Sequence, residues 1–308
     1  MTYRILSFDG GGIRGVLTLT LLQRLTQAAP KLVQNADLLA GTSTGGIIAL
    51  ALAAGKSLSD VLQLYRDHGR EIFDRSWLRD VADLGDLLGA EYDPANLQRL
   101  LQAEFGDLRL DQLNRRVLIP SFELDNGAAD PARRTWKPVF FHNFPGSDSD
   151  GAEQAVAVAL STSAAPTYFP SHGVFIDGGV AANNPSLAAL AQTQDPRAEL
   201  QPRPALADVR LLSLGTGAAL SYIAGTAHDW GSAQWVKPLV NLLLDANLGI
   251  ADYQCAQLLR DHYWRLAPTF PPGTNFKLDD WERVDDMIRF AEGVELGPTL
   301  TWLEQTGW

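Results

Sequence analysis

With 308 residues and 46% hydrophobic content, the chain is long and apolar enough to bury one substantial core, which excludes an intrinsically disordered protein. Its formal net charge of −11 opposes general attraction to nucleic acid duplexes or to an anionic bilayer, so any lipid contact has to be local and largely apolar. A single cysteine, Cys255, excludes an internal disulfide framework and fits a reducing compartment.

The N-terminal residues enter a strand-like segment at once, Tyr3 to Phe8, without the charged start, apolar stretch and small-residue site of an export signal; a cytoplasmic protein is expected. Gly10 to Gly15 reads as a glycine loop, and Val16 to Ala29 as a helix with apolar positions at helical spacing. A second unit of the same order follows, with a strand over Ala36 to Ala40, a turn over Gly41 to Gly46 and a buried helix over Ile47 to Ala54. Repeated strand, turn and helix predict a parallel sheet. The longest nearly uninterrupted apolar run, Gly45 to Gly55, is far short of the roughly 20 residues that a membrane-spanning helix requires.

Ser57 can cap a helix over Leu58 to His68, and Asp93 with Pro94 opens another that continues through Asn96 to Phe105. Arg116 to Leu124 and Thr135 to His142 read as strands, and Phe144 to Gly151 as a loop. A helix is expected over Ala152 to Leu160, a short strand over Gly173 to Ile176, a helix over Pro185 to Gln194 and a strand over Val209 to Leu214. Ser232 to Arg265 and Asp279 to Ala291 carry mostly helical patterns. No repeat, low-complexity tract or linker divides the chain, so one domain with a helical C-terminal part is the simplest organisation.

Gly41-Thr42-Ser43-Thr44-Gly45 fits the G-x-S-x-G nucleophile elbow, in which a sharp strand-to-helix turn lifts a serine hydroxyl out of the sheet. The pattern is short, but it lies between an apolar strand and an apolar helix, as the elbow requires. A serine hydroxyl needs a base, and Asp177 is the candidate: in Phe175-Ile176-Asp177-Gly178-Gly179 a strand end presents a carboxylate, and two glycines leave room for a substrate. The rival is a Ser, Asp, His order ending in His228 or His262, neither of which has a strand-end setting. Scattered histidines and a lone cysteine offer no metal-ligand spacing, and no cofactor is expected.

Asp9-Gly10-Gly11-Gly12-Ile13-Arg14-Gly15 opens a helix, so its N–H groups can converge on an anion. One such anion is a dinucleotide pyrophosphate, but the position that should then bind ribose, at the end of the second strand, carries the serine turn instead. The other is the oxyanion of ester cleavage, held by N–H donors of Gly11 and Gly12 together with Gly10. Arg14 is placed either to stabilise this loop or to attract a lipid phosphate.

Taken together, Asp9 to Gly15, Gly41 to Gly45, Ser163-Ala-Ala-Pro-Thr-Tyr-Phe-Pro170, Asp177-Gly-Gly-Val-Ala-Ala-Asn-Asn-Pro185 and Leu212-Ser-Leu-Gly-Thr-Gly217 resemble the patatin-like phospholipase family, in the family's order. The resemblance covers residues 3 to 217 and leaves 218 to 308 as a mainly helical part packed on the same domain. It implies a three-layer α/β sandwich, with a mostly parallel central sheet flanked by helices. It also implies a Ser43–Asp177 dyad without histidine, an oxyanion loop at Gly10 to Gly12, and metal-free hydrolysis of membrane phospholipid or other acyl esters by a protein that touches the membrane peripherally. Gly41, Gly45, Gly178, Gly179 and Arg14 would support the site. One departure is Val158-Ala-Leu, where many members carry an arginine. Bacterial relatives of this size add, by analogy, a cyclic nucleotide activator and a role as antiphage effector. The C-terminal helices are open to service as a lid, a dimer surface of a homo-oligomer or a regulatory site. An acyltransferase using the same acyl-enzyme, and a non-catalytic module that grips a nucleotide or lipid phosphate, are the alternative functions.

Overall fold

The computed structural model describes residues 2–73, 90–200, 202–220, 222–223 and 229–308. Its centre is a sheet of seven strands: β1 (Tyr3–Phe8), β2 (Leu38–Gly41), β3 (Arg116–Glu123), β4 (Lys137–His142), β5 (Phe175–Asp177), β6 (Val209–Leu214) and β7 (Tyr263–Leu266). The spatial order is β4-β3-β2-β1-β6-β7, with β5 paired to β3 outside that path. The pairs from β3 through β7 along this path are parallel, whereas β4 and β5 both run antiparallel to β3.

Strand residues alternate between two cores, as the period of a strand dictates. Leu6, Phe8, Leu39, Leu212 and Leu214 face the larger one, shared with α1 (Gly15–Ala28), α2 (Thr44–Ala53), α3 (Leu58–Ile72), α4 (Pro94–Phe105) and α5 (Ala155–Ser163). Two later helices, α9 (Val284–Glu292) and α10 (Gly297–Thr306), complete that layer. Ile5, Leu38, Ala40, Val209 and Leu211 face the other core, covered by α7 (Ser186–Gln192) and the C-terminal half of α8 (Ser232–Leu259). Covered on both faces, β1, β2 and β6 read as continuous apolar runs rather than alternating ones. The result is the three-layer arrangement expected.

Two readings of the sequence need correction. Residues 263–265, expected at the end of a long helix, form β7, which joins the edge of the sheet beside β6. In Tyr263-Trp264-Arg265-Leu266 the side chains alternate, and the strand is too short to break the helical signal that precedes it. The helix after the serine begins at Thr44, not Ile47. Gly45 and Gly46, which read as turn residues, form its first turn because the backbone there passes too close to its neighbours for a side chain. A Cβ on Gly45 would lie 2.3 Å from the Phe8 carbonyl oxygen, and one on Gly41 would lie 1.9 Å from that of Gly45.

Candidate active site

Three loops meet at the carboxyl edge of the parallel strands: the glycine loop after β1, the serine turn after β2, and Gly215-Thr216-Gly217 after β6. The chain builds outward from β1 on one side through β2 and returns on the other at β6, and a crevice opens where such an order reverses. It holds a cavity of about 1000 Å³, lined by Gly10, Gly11, Gly12, Ser43 and Asp177 together with apolar side chains that include Leu97, Leu101, Phe169 and Phe276.

Strand register explains why Ser43 and Asp177 meet. One edge of β3 is occupied by β4, so β2 and β5 must share the other. β2 pairs with Arg116 to Leu118, ending with Ala40 opposite Leu118. β5 takes the same edge further along, antiparallel, and ends with Asp177 opposite Ser121. Ser43 lies three residues beyond Ala40, and Ser121 three beyond Leu118, so the serine turn and the end of β5 come together.

Ser43 adopts φ 54 and ψ −123, a conformation that a non-glycine residue holds only when its surroundings enforce it. Its N–H donates to Thr162 Oγ1 at 2.9 Å, and that hydroxyl donates onward to the Pro120 carbonyl at 2.5 Å. The neighbouring Thr42 hydroxyl donates to the Ala182 carbonyl at 2.6 Å. The elbow is therefore pinned from α5 and from α6 (Gly179–Ala182) as well as by its own glycines. The N-terminus of α2 lies directly after Ser43, so the positive end of the helix falls at the serine turn.

Asp177 is buried, and burial pushes its carboxyl up to about 6; hydrogen bonds from the Ser43 hydroxyl and the Gly179 N–H, the latter at 2.7 Å, oppose the rise. Gly178 donates its N–H to the Thr162 carbonyl at 3.4 Å, which ties the turn after β5 to the same helix that holds Ser43. Burial thus moves the Asp177 carboxyl from the ordinary carboxylate range toward that in which histidine titrates.

Of the three glycines expected as oxyanion donors, Gly10 is otherwise engaged, because its N–H donates to the Asn183 carbonyl at 3.0 Å. The N–H groups of Gly11 and Gly12 have no acceptor among the described residues. Gly12 holds φ +57, and a Cβ on it would lie 2.2 Å from the Leu278 carbonyl oxygen, which itself accepts the Ile13 N–H at 2.8 Å. Arg14 reaches the Gly11 carbonyl at 3.4 Å and the Gly217 carbonyl at 3.5 Å, bridging two of the three loops.

Sequence reasoning missed the residue that anchors this loop from outside. Arg265 on β7 donates to both carboxylate oxygens of Asp9, at 3.2 and 2.5 Å, and to the Ser213 hydroxyl at 2.8 Å. Asp9 is fully buried, so the pair lies where an unpaired charge would be costly. Asn183, Thr162 and Thr216 were also missed as supports. Asn183 and Thr216 lie inside the Asp177 to Pro185 and Leu212 to Gly217 stretches, whereas Thr162 carries only the signal of a buried threonine.

His262 stands at the amino edge of the sheet, just before β7, where its Nδ1 lies 3.0 Å from Arg210; it is at the wrong end of the sheet to reach Ser43. His228 lies outside the described residues. No histidine lines the cavity among the described residues.

A buried carboxylate beside an elbow serine, facing an apolar cavity with amide donors that have no acceptor among the described residues, defines the class as a serine ester hydrolase. The family described as patatin-like phospholipase matches residues 6–190, and the chain belongs to it. CotR of Bacillus subtilis is 33% identical over 98% of both chains. A protein of Pseudomonas aeruginosa named cGAMP-activated phospholipase is 32% identical over 92% of this chain and 83% of its own. Among solved structures, human GIVD cytosolic phospholipase A2 aligns with a TM-score of 0.43 and 12% identity over 99% of this chain and 60% of its own. No described helix is long and apolar enough to cross a membrane.

Proposed function

We propose that the chain hydrolyses acyl esters of membrane glycerolipids through a Ser43–Asp177 dyad. The observation that carries this reading is the hydrogen-bonded hydroxyl and buried carboxylate at one wall of the apolar cavity. Ser43 Oγ bonds to the ester carbonyl carbon as its proton passes to Asp177. The N–H groups of Gly11 and Gly12 receive the oxyanion, and collapse expels the alcohol, which takes the proton from Asp177. Water then attacks the acyl-enzyme by the same path, releasing the fatty acid and restoring Ser43. Apolar lining of the cavity suits an acyl chain, and Gly179 keeps a side chain away from the carboxylate, since a Cβ there would lie 3.0 Å from Asp177 Oδ1.

A fluorophosphonate probe tests the nucleophile, with Ser43→Ala and Asp177→Asn assayed on a fluorogenic acyl ester. Stoichiometric labelling at Ser43 and loss of turnover in both variants are expected; retained turnover in either counts against the dyad. Likeness to the relatives named cGAMP-activated phospholipases supports a cyclic dinucleotide as activator, and a place among antiphage effectors is proposed by analogy alone. Turnover measured with and without cGAMP decides the first, and unchanged turnover removes it.

A further inference from the structure

The C-terminal half of α8 is sealed into the sheet core through Cys255 and Leu259, with Ala251 buried a turn before them. Its other side carries Leu239, Leu243, Ile250 and Tyr253, which are 45, 50, 57 and 67% exposed. With the exposed Ala246 between them, the spacing of four, three, four and three residues puts them on one stripe of the helix. At a rise of about 1.5 Å per residue that stripe is about 21 Å long. From Pro238 to Leu259 the sequence has no lysine, arginine or glutamate, and only Asp245 and Asp252 are charged. Asp252 accepts from the Tyr263 hydroxyl at 2.9 Å, and Asp245 lies on the cavity side, in the field of Arg14. Soluble proteins seldom leave an apolar strip of this extent in water.

The stripe is continuous with the cavity mouth. Leu242 and Tyr222 are 41 and 88% exposed, and both line the cavity. We propose that this outer face of α8, with Tyr222 beside it, seats the protein on a zwitterionic lipid surface, so that the cavity opens toward the acyl chains it receives. The inference rests on the hydrolase reading above and gives it a membrane-facing side. Charge favours lipid over a second copy of the chain. Each copy carries a net −11, and Pro238 to Leu259 offers no lysine, arginine or glutamate for the flanking ion pairs that select a partner helix, whereas a zwitterionic surface has no net charge to oppose approach. A paired copy would also cover Leu242 and Tyr222 and close the route into the cavity.

Flotation with phosphatidylcholine vesicles tests this in the full chain, with Ser43→Ala so that the vesicles stay intact. Leu239 and Leu243 line no part of the cavity, so Leu239→Glu with Leu243→Glu alters only the stripe. Each leucine moved from water into lipid is worth about tenfold in partition, so the pair is expected to weaken vesicle binding about a hundredfold. Raising sodium chloride from about 0.1 to 1 M should leave binding of the parent unchanged, because the stripe between Pro238 and Leu259 carries no cation. The inference is overturned if the parent does not float, if the double variant floats as well as the parent, or if binding needs anionic lipid and is lost in salt. It is equally overturned if sedimentation shows a dimer that the substitutions split while flotation is unchanged. With Ser43 intact, the double variant should turn over a soluble fluorogenic ester at the parent rate, so failure at the surface is distinguishable from failure of the dyad.

Discussion

Replacing Asp177 by Asn removes a charge that the fold holds at a cost, so the variant should lose turnover and gain stability together. Burial raises the carboxyl from its ordinary 3.8 to about 6. A folded value above the unfolded one means that the acid is favoured when protonated, so its contribution to stability is fully present below pH 3.8 and is lost as pH rises through 6. The shift of about 2 units corresponds to about 3 kcal/mol at pH 8, at about 1.4 kcal/mol per unit. Asn has nearly the shape of the protonated acid and pays no such penalty. Urea unfolding of parent and variant should therefore nearly coincide at pH 4 and separate, variant above parent, by up to about 3 kcal/mol at pH 8. A variant that is less stable than the parent at pH 8 would refute the reasoning, because the carboxylate would then be an anchor of the fold rather than a strained base. A variant that is more stable and still active would remove Asp177 from the chemistry.

The same burial sets the pH profile: kcat/KM should fall below an acid limb near pH 6, where Asp177 takes up its proton, and the limb should persist in His262→Ala. A limb that disappears with a histidine substitution would transfer the role of base to that histidine. Gly11→Ala would place a Cβ 2.3 Å from the Thr216 hydroxyl oxygen, shifting the glycine loop. Steady-state kinetics on a soluble ester should show kcat lowered by about 10² to 10³, the loss typical of one oxyanion donor; normal kcat would argue that the loop does not hold the oxyanion. Arg265→Met strands the Asp9 carboxylate in the interior and should cost about 3 to 5 kcal/mol in urea unfolding, most of it recovered by adding Asp9→Asn. Equal stability of Arg265→Met and parent would show that Asp9 needs no counter-charge.

Much of the candidate site's local geometry was legible because its signals are local. The elbow needs a small residue on either side of the serine, since Gly41 and Gly45 touch within one turn of chain, and that requirement is written in five consecutive residues. The glycine loop and the Asp-Gly-Gly turn are equally compact. Helices and strands of the core followed from period and caps, as with Asp93, whose carboxylate accepts the Ala95 N–H at 2.8 Å. β7 escaped because four alternating residues cannot outweigh a long helical pattern, and Arg265 was lost with it.

Residue types and their short-range order determined by themselves which side chains could act: a serine in a turn that exposes it, a carboxylate at a strand end, and a loop that frees amide donors. Tertiary structure decided which of them lie together. The shared edge of β3 brings Asp177 to Ser43, Asn183 withdraws Gly10 from the donors, and Arg265 clamps Asp9 from a strand 256 residues away. Local patterns are set by clashes and hydrogen bonds between near neighbours, whereas register, burial and charge pairing depend on segments that only the folded core brings into contact, and the carboxyl value near 6 exists only there.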